Sequence, residues 1–335
     1  MKKLLVGTLA LSAVSVSAPV SAQMMDGVTV SLNNLFAYKS WSDETTNTGG
    51  QNNTLITNES HVVFTAEKTT DSGLTVGIYN RLESDTGRDN QEDGHRIYLS
   101  GDWGKIQTGS VGAGDTYPVD ATGLVAEEGE TFSGGALDGG YHTAKVGDEA
   151  VSYHTPNISG FKLGFSYGDA GQNSKADVTE YGFSYSTDIM GGSLSIGYAG
   201  ANVSKIDNTD EAVSKTATSY GATLVRDSLT IRLSANTLTE DADNGTLDRD
   251  YSNTGIGVSY AASDDLTLAA SVLTAEEGKQ KGTYDETALS ASYKIAAGLT
   301  SGISYTSWEG KAAGSGSDSE EQEGTYSVLW LKVAF

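Results

Sequence analysis

Cysteine is absent from this chain. No disulfide, thiolate metal site or cysteine nucleophile is available, and an exported form draws its stability from the fold alone. Basic residues are scarce: 21 Lys and Arg stand against 44 Asp and Glu, a formal net charge of −23. Phosphate backbones require clustered cations, which excludes nucleic acid as a partner. Hydration of exposed loops accounts for most of the acid. Proline occurs three times, and no Pro-rich or low-complexity linker divides the chain, so it reads as one domain. Past residue 22 no window approaches the roughly 20 apolar residues of a membrane-spanning helix. Hydropathy alone would place the mature chain in water. A membrane β-barrel escapes that test, because only alternate residues of each strand meet lipid.

What is present begins with an export signal. Lys2 and Lys3 precede an apolar segment from Leu4 to Val16, and Val20-Ser21-Ala22 offers small residues for cleavage. This pattern predicts a secretory leader over 1–22, removed after Ala22, with the mature domain over 23–335.

Period two runs through the rest. Val28, Val30 and Leu32 alternate with Thr29, Ser31 and Asn33; Val62, Phe64 and Ala66 alternate with His61, Thr65 and Glu67. Such alternation gives a strand one apolar and one polar face. Paired runs meet at tight turns, for example Thr70-Asp71-Ser72-Gly73, Gly101-Asp102-Trp103-Gly104 and Arg226-Asp227-Ser228. Between pairs lie longer polar stretches, read as loops at Lys39–Asn58, Glu83–Gly94 and onward. The count reaches about sixteen strands, about seven short turns and about eight long loops. Connections sorted short at one end and long at the other describe an all-β, up-and-down, antiparallel transmembrane barrel rather than a soluble sandwich. An even strand number sets the first and last strands side by side, where pairing closes the sheet. Aromatic residues such as Tyr153, Phe161, Tyr167, Tyr181, Tyr220, Tyr260 and Tyr293 lie toward strand ends, where their amphipathic rings suit membrane interfaces.

One stretch breaks the pattern. Gly112–Glu149 is 38 residues long with neither period, and carries Asp115, Asp120, Glu127, Glu128, Glu130, Asp138, Asp148 and Glu149 against Lys145 as its one Lys or Arg. A connection of that length inside a regular barrel is a functional or disordered loop. Strand parity points Arg81, Arg96 and His61 to the face opposite the apolar one, and also Lys162, Arg232 and Lys332.

The order of three motifs carries a family resemblance. Gly101-Asp102-Trp103-Gly104-Lys105-Ile106-Gln107-Thr108-Gly109 is similar to the turn and strand that lead into the constriction loop of Gram-negative general porins. Val151-Ser152-Tyr153-His154-Thr155-Pro156-Asn157-Ile158-Ser159-Gly160-Phe161 resembles the hairpin after that loop, and Phe335 resembles the C-terminal aromatic insertion signal. The resemblance implies a sixteen-stranded homotrimer in the bacterial outer membrane, in contact with lipid and lipopolysaccharide. It implies a water-filled pore for passive diffusion of ions and small hydrophilic solutes, with no catalysis and no cofactor. It further implies that 112–149, the third long loop, folds into the lumen as the constriction. Asp115, Asp120, Glu127, Glu128, Glu130 and Asp138 would then form its acidic side, facing a basic wall of Arg81, Arg96 and His61. Phe132-Ser133-Gly134-Gly135 stands where enteric members carry a proline-containing turn. From the acid excess the expected preference is for cations.

Other readings use the same residues. A substrate-specific channel, for sugars for instance, needs a path of inward aromatics, for which Tyr79, Tyr98 and Trp330 have the parity. Acidic loops at Asp241 and Asp243, Glu276 and Glu277, and Asp318, Glu320, Glu321 and Glu323 offer oxygen ligands to Ca2+, although no EF-hand spacing is present. A Ser–His hydrolase could draw on His61, His95, His142 and His154, but is set aside on the expectation that no nucleophile elbow is present. A surface adhesin of soluble β modules would show sequence repeats, and only hairpin periodicity is found.

Overall fold

The structure, a computed structural model, describes residues 22–25, 27–44, 51–85, 92–113, 150–169, 177–206, 213–242, 249–278, 282–311 and 321–335. Its strands are β1 (Ala22–Met25), β2 (Val28–Glu44), β3 (Gln51–Thr69), β4 (Thr75–Asp85), β5 (Glu92–Gly101), β6 (Gly104–Gly109), β7 (Ala150–His154), β8 (Phe161–Asp169) and β9 (Asp177–Ile189). They continue as β10 (Gly192–Ile206), β11 (Val213–Arg226), β12 (Leu229–Ala242), β13 (Arg249–Ala261), β14 (Leu266–Glu277), β15 (Gly282–Ala296), β16 (Leu299–Lys311) and β17 (Glu321–Ala334). From β2 to β17 each strand pairs antiparallel with the next, and β17 returns to β2 from Glu323↔Glu44 to Ala334↔Asn33. The ring is a closed barrel of sixteen strands. Closure satisfies every edge, which lipid cannot do. The short β1 pairs with the start of β2, and Phe335 extends the seam through hydrogen bonds with Leu32 in both directions, 2.7 and 2.8 Å.

Alternation sets the two faces. Leu289, Tyr293 and Ile295 on β15, Ile303 and Tyr305 on β16, and Leu329 and Leu331 on β17 are exposed, while their neighbours Ser304, Thr306, Val328 and Trp330 are buried. The exposed apolar side is the lipid face, and the buried side lines the interior. The apolar belt ends sharply: beyond Leu289, Tyr305 and Leu329 the outward positions become Thr287, Ser307, and on β17 Ser327 and Thr325. These are followed by Asp285, Glu309 and Glu323, which lie in register across β15, β16 and β17. Carboxylates sit where headgroups and water replace hydrocarbon.

The strands run further than period two revealed. Lys39–Glu44 and Gln51–Asn58, read from sequence as one loop, belong to β2 and β3, which pair as far as Asp43↔Gln51. Likewise β4 reaches Asp85 and β5 begins at Glu92. Above the belt both faces meet polar surroundings, so backbone pairing continues without any hydrophobic alternation to mark it.

Several close cross-strand contacts depend on glycine. Tyr98 lies over Gly77, Trp330 over Gly302 and Trp308 over Gly324; each is a register pair, and a Cβ on the glycine would fall within 2.1 to 2.7 Å of the ring. Glycine opposite an aromatic lets the ring fold flat against the sheet. Gly104 has a different reason. Its φ is +114, and a Cβ there would lie 2.3 Å from the backbone oxygen of His154. The hairpin it closes is braced by Tyr153, which donates from its hydroxyl to the Trp103 carbonyl at 2.7 Å and stacks on the Trp103 ring. Since backbone cannot step aside as a side chain does, Gly104→Ala is expected to lower stability by about 1–3 kcal/mol, read as an earlier urea midpoint in lipid vesicles.

Candidate pore lining and constriction

The site begins where the chain leaves β6. Val111 and Ala113 are buried; the Ala113 amide donates to Ser166 Oγ at 2.9 Å, and Ser166 donates to Glu180 Oε2 at 2.8 Å. A Cβ on Gly112 would lie 2.5 Å from that same carboxylate oxygen. Ser166 on β8 and Glu180 on β9 belong to the inner face, since Phe165, Tyr167 and Tyr181 beside them are exposed outward. Residues 111–113 therefore cross the interior of β8 and β9 instead of rising over the rim. The long connection is rooted on the inside wall. Asp115, Asp120, Glu127, Glu128, Glu130 and Asp138 lie outside the described residues. Ser166→Ala removes the acceptor for a buried amide and a donor to a buried carboxylate, with an expected cost of about 1–3 kcal/mol. Added open-channel noise in bilayer recordings should accompany the loss as the root loosens.

Adjoining that root around the ring, through β7, is the wall of β3 to β6. Arg81, Arg96 and His61 all take the inner face, as parity requires: Leu82, Ile97 and Phe64 are exposed on the other. Their charges are engaged locally. Arg81 Nη2 lies 3.1 Å from Glu83 Oε2. His61 Nε2 lies 3.2 Å from Glu59 Oε1 and 3.5 Å from Glu83 Oε2. The Arg96 guanidinium sits 4.1 Å above the Tyr79 ring, and Lys105 Nζ 4.3 Å above that of Tyr98, whose hydroxyl donates to Glu67 Oε2 at 2.8 Å. Sequence reasoning found the three basic residues and missed Glu59 and Glu83, because the strand was read as starting at His61 and Glu83 as the start of a loop, whereas β3 and β4 include both.

Among the described residues the inner acids gather toward one end of the barrel, where Lys39, Arg81 and Lys215 also lie, and the other end is mainly basic. Near the short-turn end the inner face presents Lys105, Lys162, Arg232, Lys294 and Lys332, alongside Glu67. Toward the long-loop end it presents Glu83, Glu180, Glu240, Glu277 and Glu286, with Lys215 Nζ held 2.5 Å from Glu240 Oε1. Tyr79 and Tyr98 sit on adjacent strands, each with a cation over one ring face. Trp330 lies elsewhere, in an apolar inner cluster with Leu35, Ala37, Tyr326 and Val328. The three do not make one aromatic path. Glu276 and Glu277, adjacent in sequence, point to opposite faces of β14, exposed and buried respectively, and do not converge on one ion. Asp243, Asp318 and Glu320 lie outside the described residues.

One stretch, Gly164-Phe165-Ser166-Tyr167-Gly168, does have nucleophile-elbow spacing, contrary to the sequence expectation. Its serine sits within β8, between two strands and engaged with Ala113 and Glu180. An elbow requires a strand-to-helix turn that lifts the hydroxyl out of the sheet, and this extended segment has none.

Comparison with known proteins agrees with the geometry. A family model described as Gram-negative porin matches residues 7–313. A porin of Rhodobacter capsulatus is 27% identical over 235 residues, 68% of this chain and 71% of that one. Among solved structures, an anion-selective porin from Comamonas acidovorans superposes with a TM-score of 0.68 at 17% identity, covering 92% of this chain and 100% of the other. The outer-membrane protein OmpT of Vibrio cholerae, in a trimer form, gives 0.65 at 13% identity, covering 91% and 99%.

Proposed function

Because this chain belongs to the Gram-negative porin family and is an outer-membrane β-barrel, we propose that it is a passive, non-enzymatic, cation-preferring channel for ions and small hydrophilic solutes. The observation that carries the reading is the inward root of the long connection at Val111, Gly112 and Ala113. A loop entering the lumen at that point brings its carboxylates toward the wall of Arg81 and Arg96 and narrows the passage. In a narrow, partly dehydrated section charge decides which ion enters, and this loop carries eight acids against one lysine.

Fold does not set the sign of that preference, since an anion-selective porin shares the architecture. The local charge does. Neutralising Glu127, Glu128 and Glu130 together to Gln is expected to move the reversal potential in a tenfold KCl gradient toward the anion side. A wild-type reversal potential already on the anion side sinks the cation preference while leaving the channel intact. Assembly as a homotrimer is part of the same reading, supported by the trimer form of the Vibrio neighbour. Contact with anionic lipopolysaccharide would reach the outward acids Asp285, Glu309 and Glu323 above the apolar belt through bridging dications such as Ca2+.

A further inference from the structure

We propose that Glu59, His61 and Glu83 form a binding site on the inner wall for a first-row transition-metal dication such as Zn2+. β3 places Glu59 and His61 two residues apart on the inner face, and β4 sets Glu83 directly opposite His61 in register. One ligand atom from each residue lies within 4.8 Å of the others. Nε2 of His61 stands 3.2 Å from a Glu59 oxygen and 3.5 Å from a Glu83 oxygen. Metal–ligand bonds of about 2.0–2.2 Å hold tetrahedral ligand atoms roughly 3.3–3.6 Å apart. The two nitrogen–oxygen distances match a first coordination sphere, and all three ligand atoms lie within 4.8 Å of one another.

A proton on His61 is the competing account of this arrangement. Nε2 is buried, yet it makes no hydrogen bond, so a proton there would aim at neither carboxylate. A metal ion needs no such alignment, because it can sit off the line between nitrogen and oxygen. Asn33, the partner of His61 on β2, brings a further buried oxygen, Oδ1, that also makes no hydrogen bond. One imidazole with two carboxylates suits Zn2+, Co2+, Ni2+ or Cu2+, whereas Mg2+ and Ca2+ require oxygen ligands alone. Arg81 Nη2, 3.1 Å from Glu83 Oε2, fixes that carboxylate while its charge opposes the ion.

The test is titration of ZnCl2 into the purified barrel in detergent by calorimetry, which needs no conductance and so stands apart from the channel reading. Heat-modifiable gel migration establishes that each variant is folded. One Zn2+ per chain is expected. His61→Gln and Glu59→Gln should each weaken binding by at least the roughly 10–100-fold that loss of a supporting group costs a metal site. Arg81→Gln should strengthen binding, excess Mg2+ should not compete, and His154→Gln should leave it unchanged. Absence of Zn2+ binding in the folded wild type, or undiminished binding in folded His61→Gln, overturns the site.

Discussion

Replacing Lys105, Lys162 and Lys294 together by Gln is expected to change the current asymmetry of single channels about twofold at 0.1 M salt and hardly at all at 1 M. These lysines lie on the inner face close to the short turns, the periplasmic end of an outer-membrane barrel, while Glu83, Glu180, Glu240, Glu277 and Glu286 lie toward the other end. Among the described residues such a pore is mainly basic at the short-turn mouth and mixed toward the other, where Arg81 and Lys215 pair with Glu83 and Glu240, so opposite voltages enrich or deplete its ions unequally. Each unit charge acts on an ion about 10 Å away with roughly 0.4 kcal/mol in water, reduced about threefold at a Debye length of about 10 Å. Three such charges give roughly 0.4–0.5 kcal/mol, a factor near two. At 1 M the Debye length falls to about 3 Å and the asymmetry should fade. Equal asymmetry in wild type and triple variant at low salt would show that the lysines do not shape the field.

Trp330→Ala is expected to destabilise the barrel more than any other single substitution considered. The side chain is 1% exposed and packs with Leu35, Ala37, Tyr326 and Val328 on the inner side of the seam between β17 and β2. Beyond that cluster is an aqueous lumen rather than lipid. Truncation therefore forfeits both the transfer free energy of the indole and the packing around it, together about 3–5 kcal/mol. Leu329→Ala, one residue away on the lipid face, leaves a space that lipid chains can fill and should cost less. Urea unfolding in vesicles compares the two, and an equal loss would show that the inner cluster has no special role in holding the seam.

The inner cluster also marks the boundary of what was legible. Period two, the loop-length alternation and the turn chemistry at Gly104 and Asp227 were readable because each follows from neighbours along the chain. Parity assigned Arg81, Arg96 and His61 to the interior correctly. It could not show that Arg81 is already paired with Glu83, or that His61 stands between two carboxylates, because Glu59 and Glu83 lie where the apolar alternation that marks a strand has stopped. Nor could it separate Trp330 from Tyr79 and Tyr98: all three share inward parity, yet they sit in different parts of the wall.

By itself, the sequence determined strand number, the two faces of each strand and the odd acidic connection at 112–149. These are consequences of local spacing, and spacing is written in the chain. Only the tertiary structure decided how far β2 and β3 continue past the lipid belt, and that the connection turns inward at Ala113 onto Ser166 and Glu180. It alone placed Glu59, His61 and Glu83 around one point. Each of these depends on which residues the register of a closed ring brings side by side, and that register is set by sixteen strands pairing at once.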